Sequence, residues 1–189
     1  MCIRDRHNTL TLDNKNLETT ESKTLLWQPD GNQQVLVTQN PSYKDLDHRR
    51  TVFFVDQTYY VIVDEALGSA TGNLNLHYLL TDGKISTEKN TIRTDYKGES
   101  NVMIACNSAS PMELKQEEGW YSTAYRKKTA RPSFSFNVDK KDAKPVRFVT
   151  IIYPGKDVKS VSAAGKVISS TDKSLKVSVK VNGLSLIHI

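Results

Sequence analysis

A chain of 189 residues that is 38% hydrophobic and 25% charged, with mean hydropathy −0.49, has globular composition and excludes a disordered tract. No apolar run approaches the ~18 residues a membrane-spanning helix needs. The net charge of +5 permits an acidic partner without demanding one, and two cysteines exclude a disulfide scaffold.

In chain order, short runs suited to strands fall at Thr9–Leu12, Thr24–Trp27 and Gln34–Thr38. Val52–Val55 and Tyr59–Val63 follow, apolar at successive positions and separated by Asp56-Gln57-Thr58, which predicts a central hairpin buried on both sides. Leu74, Leu76, Tyr78 and Leu80 alternate with polar residues, so one face meets a core and the other meets water. Further strands are predicted at Val102–Cys106, Met112–Lys115, Phe134–Val138, Arg147–Ile152 and Leu175–Val181. Turn chemistry punctuates these runs at Pro29-Asp30-Gly31, Asn40-Pro41, Thr81-Asp82-Gly83, Lys97-Gly98 and Pro154-Gly155. No stretch carries an apolar stripe at helical spacing. The fold class is all-β, an antiparallel β-sandwich, with a change of sheet or a small appendage expected after Pro154.

The ends read differently from the rest. Met1-Cys2-Ile3-Arg4-Asp5-Arg6 back-translates to a DNA string whose reverse complement encodes Leu-Ser-Leu-Ile-His and then an Ile codon, matching Leu184–Ile189. One string read in both orientations resembles the transposon end attached to fragments during sequencing-library preparation. Residues 1–6 and 184–189 are therefore expected to be adapter-derived, which leaves His7–Gly183 as native sequence and Cys106 as the single native cysteine. On this reading 7–155 is an incomplete sandwich cut from a larger protein, and 156–183 holds its terminal strands or a small appendage.

Signatures of catalysis are absent: no phosphate-cradling glycine loop, no paired-cysteine metal motif, no nucleophile elbow and no two-histidine zinc helix. Basic residues cluster at His48-Arg49-Arg50 and at Arg126-Lys127-Lys128, the latter near Trp120, Tyr121, Tyr125 and Arg131. Cations interleaved with aromatics suit a polyanion, and a plain solvated loop has the same composition. Arg49, Arg50, Arg126, Lys127 and Lys128 are the candidate substrate-binding residues. No ribonucleoprotein signature accompanies them, so no nucleic-acid partner is expected. His77 occupies a polar position of an alternating strand and is expected on an exposed face, while His48 is expected at a strand rim.

His7-Asn8-Thr9-Leu10-Thr11-Leu12-Asp13 resembles the His-Asn-Thr motif in the C-terminal β-domain of heparinase II/III-like polysaccharide lyases. The run His48–Asp56 into Tyr59–Glu65 is similar to the paired core strands of that family, and Gly72–Leu80 to the strand that follows them. Trp120, Ala124–Lys128 and Arg131–Phe136 look closest to the heparinase III branch, which acts on heparan sulfate. The resemblance covers His7 to Pro154. It implies an α/α-toroid preceding the sandwich, an acidic polysaccharide as substrate, and cleavage by β-elimination. It also implies that the catalytic tyrosine and its polar partner lie in the toroid, so the piece by itself is expected to be inactive. The motif's histidine joins an upstream histidine and aspartate around a structural ion, which makes His7 one candidate metal ligand of an incomplete site. One divalent ion, zinc or calcium, is expected in the intact protein and none in the piece. The family further implies a periplasmic or secreted bacterial enzyme. Alginate or another polyuronate as substrate, or a non-catalytic carbohydrate-binding sandwich, are the competing readings.

Overall fold

The computed structural model describes residues 7–18, 21–98, 100–122 and 124–186, of which 184–186 are described by backbone alone. Among the described residues fifteen strands, numbered in chain order, form three sheets, and every pairing is antiparallel. The central sheet has eight strands in the order β2 (Lys23–Gln28), β3 (Gln33–Tyr43), β4 (Leu46–Val55), β5 (Tyr59–Leu67), β12 (Val146–Gly155), β9 (Asn101–Asn107), β8 (Thr91–Thr94) and β7 (Ile85–Glu88). A sheet of four, β1 (Leu10–Leu12), β6 (Gly72–Leu79), β11 (Thr129–Lys140) and β10 (Glu113–Tyr121), packs on one of its faces. A sheet of three, β13 (Ala163–Ser170), β14 (Leu175–Val181) and β15 (Leu184–Leu186), packs on the other.

Side-chain alternation explains the layering. On β12, Val146 and Phe148 join Leu74, Leu76, Phe134 and Phe136 in the first core, between the four-stranded and eight-stranded sheets. Val149 and Ile151, pointing the opposite way, join Val177 and Val179 in the second core beneath the three-stranded sheet. The all-β sandwich expected from the alternation is present, with a third layer added. The chain changes sheet after Gly155, where β12 ends, and the next strand belongs to the three-stranded sheet. The two layers approach closely at Gly165, where a Cβ would lie 2.6 Å from the Val149 Cγ1 methyl, so only glycine lets β13 approach β12 this far.

The β4–β5 hairpin forms as predicted, but its tip is not buried on both sides. Asp56 and Gln57 adopt φ of 48° and 51° within the three-residue connection Asp56-Gln57-Thr58, a left-handed turn closed by the Thr58 amide donating to the Val55 carbonyl at 2.9 Å. Phe53, Val55, Tyr59, Val61 and Val63 are buried against the three-stranded sheet. Val52, Phe54, Tyr60 and Ile62 point the other way, beyond the reach of the four-stranded sheet, and Tyr60 is 37% exposed. Strands β7, β8 and β13 carry no apolar signal because they are short or outward-facing pieces rich in Ser, Thr and Ala. Met1–Arg6 lie outside the described residues. Leu184–Leu186 pair with one edge of β14, whose other edge pairs with β13.

Candidate functional site

The adjacent arginines Arg49 and Arg50 project to opposite faces of β4, so they do not act as one basic patch. Arg49 is buried on the side of the three-stranded sheet. Its Nε donates to Glu65 Oε2 at 2.7 Å and its Nη atoms donate to the Asp172 and Thr171 carbonyls. Arg147 Nε and Ser170 Oγ donate to the other Glu65 oxygen, at 2.7 and 3.0 Å. Burial alone would raise the Glu65 carboxyl, but the hydrogen bonds from Arg49 and Arg147 outweigh it and hold the group below the usual carboxylate range.

Arg50 turns to the opposite side and donates from Nε to Asp64 Oδ1 at 2.6 Å and from Nη1 to the Asn8 carbonyl at 2.8 Å. His48 reaches the same Asp64 oxygen from Nε2 at 2.6 Å, and because an ionised carboxylate only accepts, the imidazole is the donor. Asp64 is fully buried. Desolvation opposes its ionisation, yet the Arg50 charge and the His48 hydrogen bond prevail and lower its pKa to about 2. His48 is thus a buried partner and not rim, because Asp64 stands opposite Arg50 across the hairpin and draws the imidazole inward.

His77 also departs from the exposed position expected of it and is only 3% exposed. Its Nδ1 pairs with Glu117 Oε2 at 2.8 Å and its Nε2 with Thr11 Oγ1 at 2.9 Å. Ser135 donates to the second Glu117 oxygen at 2.6 Å, and Asn75 and Asn137 extend the row. The outward face of the four-stranded sheet is a polar network crossing all four strands, and its members shield one another from water. Thr11–His77–Glu117 has the connectivity of a hydroxyl, a base and a carboxylate. Thr11 is inaccessible to any substrate, so the arrangement ties strands together and does no chemistry.

The accessible candidates lie at the β10–β11 hairpin. Lys128 Nζ sits 4.2 Å from the Trp120 ring centre, Arg126 Cζ 5.2 Å from Tyr125, and Arg131 Cζ 5.9 Å from Tyr121. Tyr125 is 89% exposed. Arg126, Lys127 and Lys128 are exposed, and among the described residues no carboxylate pairs with them. This loop adjoins the start of the described chain. Arg131 Nε donates to the Leu80 carbonyl at 2.9 Å, and the Leu79 amide donates to Asn8 Oδ1 at 2.9 Å. Positive charge without compensating carboxylates, set on aromatic rings, can hold a sulfated or carboxylated sugar chain by charge and stacking.

His7 is exposed beside Asn8. Among the described residues no group of three or more His, Cys, Asp or Glu side chains comes together to hold a metal ion, so His7 offers one imidazole and not a site. Cys106 is free and fully buried, with burial raising its thiol to about 12, as suits a small core residue.

The family model for the heparinase II/III-like C-terminal domain matches residues 5–176. The chain is 51% identical over 182 residues to a heparin-sulfate lyase of Bacteroides stercoris, covering 94% of this chain and 27% of that protein. It is 40% identical over 151 residues to the heparin-sulfate lyase of Pedobacter heparinus, covering 78% of this chain and 23% of the relative. Among solved structures, a heparinase III gene product superposes with a TM-score of 0.90 at 50% identity, across 97% of this chain and 30% of its own. A heparan sulfate lyase of Pedobacter heparinus superposes equally well, TM-score 0.90 at 34% identity, across 98% and 30%. The chain spans less than a third of the length of these relatives. By sequence over residues 5–176 and by fold, the chain belongs to the heparinase II/III-like family, and what it carries is the C-terminal domain.

Proposed function

We propose that this domain forms part of a polysaccharide lyase that cleaves heparan sulfate, a sulfated polymer containing uronic acid, by β-elimination. The observation that carries the reading to the substrate is the exposed Arg126-Lys127-Lys128 loop on aromatic rings, within the family fold. In the reaction a base takes the proton from C5 of the uronate, the C4–O bond breaks, a C4=C5 double bond forms, and the departing oxygen gains a proton. A group neutralising the uronate carboxylate makes that C5 proton acidic enough to remove. Among the described residues, His48 and His77 are both buried in hydrogen-bonded pairs and are not open to a substrate as that base. On this reading the base and the carboxylate-neutralising group come from the remainder of a longer protein, of which this chain matches the C-terminal domain and 27% of a relative's length, and this domain contributes cationic contacts to the substrate.

A resident divalent ion would take His7 as one ligand and would draw its others from that preceding polypeptide. It would fix local structure, and no step of the elimination is routed through it. A polymeric extracellular substrate places the enzyme in the periplasm or outside the cell. The test compares the full-length protein with this chain on heparan sulfate, following unsaturated-uronate absorbance. Product from the full-length enzyme alone is expected. Absorbance growing with this chain by itself, or a silent full-length protein that cleaves only unsulfated polyuronate, would overturn the reading.

A further inference from the structure

On the face of the eight-stranded sheet that carries the four-stranded one, the registered pairs Trp27–Leu36, Leu36–Val52, Val52–Ile62, Ile62–Thr150 and Thr150–Cys106 form one cross-strand row. Cys106 and Thr150 at one end are fully buried. Ile62, Val52 and Leu36 are partly open, and Trp27 at the far end is 62% exposed. The neighbouring row holds Phe54 and Tyr60, stacked with ring centres 4.5 Å apart. A core row that runs out into water is half of an interface.

The path of the first residues says what covers it. Lys15 is held near Tyr43 by a 2.8 Å hydrogen bond from the Tyr43 hydroxyl to its carbonyl, and Tyr43 pairs with Leu46. Reading backwards, Leu12 and Leu10 pair with Leu74 and Leu76, and Asn8 meets Leu79 and Arg50. The chain thus travels along β4 from Leu46 to Arg50, and the next residues of β4 on that face are Val52 and Phe54. Polypeptide preceding Asn8 and continuing in that direction would cross this strip. The relatives' greater length, of which this chain spans 27%, supplies ample chain to fill it.

We infer that the strip Trp27, Leu36, Val52, Phe54, Tyr60 and Ile62 is the seat for the polypeptide that precedes His7 in the intact protein, binding it by apolar burial at the rim of the Arg50–Asn8 contact. The inference rests on this domain belonging to a longer enzyme, as proposed above. Edge strand β2, exposed along its whole length, extends the seat by offering backbone pairing.

The experiment uses the full-length protein and this chain, each carrying Trp120→Phe and, in the full-length protein, phenylalanine at the tryptophans preceding His7, so that Trp27 is the reporter. In the full-length protein Trp27 emission should shift to the blue and its acrylamide quenching constant should fall at least threefold relative to this chain. Val52→Glu in the full-length protein should restore quenching, and a Thr171→Glu control on the opposite side should not. Equal quenching in both proteins would overturn the inference while leaving the lyase reading to its own assay. Protection that appears only as this chain dimerises, or only on adding heparan sulfate, would overturn it too, assigning the strip to a second copy or to sugar. Flanking sequence that encodes no further domain would instead refute the longer-enzyme reading.

Discussion

Asp64 offers the sharpest test of how this fold handles buried charge. Replacing it with Asn keeps the shape but removes the anion that Arg50 and His48 both address. Its pKa falls from 3.8 to about 2 in the folded chain. A depressed carboxyl stabilises the fold fully above its unfolded value and loses that contribution as pH falls through its folded value. A tenfold difference in proton affinity between the folded and unfolded chain corresponds to about 1.36 kcal/mol. The ionised group accordingly contributes about 2 kcal/mol at pH 6 and about half of that at pH 3. Asp64→Asn should therefore lower stability by about 2 kcal/mol at pH 6, or about 1 M in urea midpoint for a slope of about 2 kcal/mol/M. The gap between wild type and variant should narrow by about half at pH 3. Paired urea titrations at the two pH values measure both quantities. A gap below about 0.5 kcal/mol at pH 6, or one that does not shrink at pH 3, would refute the assignment of the low pKa to this cluster.

Glu65→Gln should cost about 3–5 kcal/mol, seen as a fall in melting temperature of roughly 6–20 °C, because Arg49 is left buried without its counter-charge. Gly165→Ala should cost about 1–3 kcal/mol by forcing β13 off Val149, and a crystal structure or unfolding titration that shows no strain would count against the close approach. In a Cys2→Ser background, Cys106 should resist a thiol reagent at pH 8 until denaturant opens the core, since burial raises its thiol to about 12; rapid native labelling would contradict that. Arg126, Lys127 and Lys128 together replaced by Glu should weaken heparan sulfate binding by about 1–3 kcal/mol and lower the eluting salt on a heparin column, with melting temperature unchanged. Unchanged elution would remove this loop from the substrate surface.

Much of the fold is legible because alternation survives wherever one face meets a core. Phe134, Phe136 and Val138 are buried as their spacing requires. Alternation says nothing about what lies on the polar side, so it assigns His77 to water. Its burial depends on Glu117 and Ser135 arriving from two other strands, and no local pattern encodes such a meeting. His48 departs from its expected rim position for the same reason, although the sequence holds a clue. Arg49 and Arg50 lie as far before the Asp56-Gln57-Thr58 connection as Glu65 and Asp64 lie after it, so a tight hairpin brings each pair together. The doubly apolar hairpin reads as buried because composition records what a strand is built to touch, and the strip at Val52 and Phe54 faces outward here. The accessible cationic loop is legible directly, since nothing from elsewhere in the described chain neutralises it.

The opposed arginines on β4 also govern which pairings the hairpin can adopt. Sliding β4 by one residue against β5 would reverse the faces of Arg49 and Arg50 together. Arg49 would then leave Glu65 and the Thr171 and Asp172 carbonyls, while Arg50 would leave Asp64 and the Asn8 carbonyl. Each mistaken register buries two carboxylates without cations, at several kcal/mol apiece. The hairpin rejects misalignment from both layers at once, and it does so with two neighbouring residues whose charges a composition count would have merged into one surface patch.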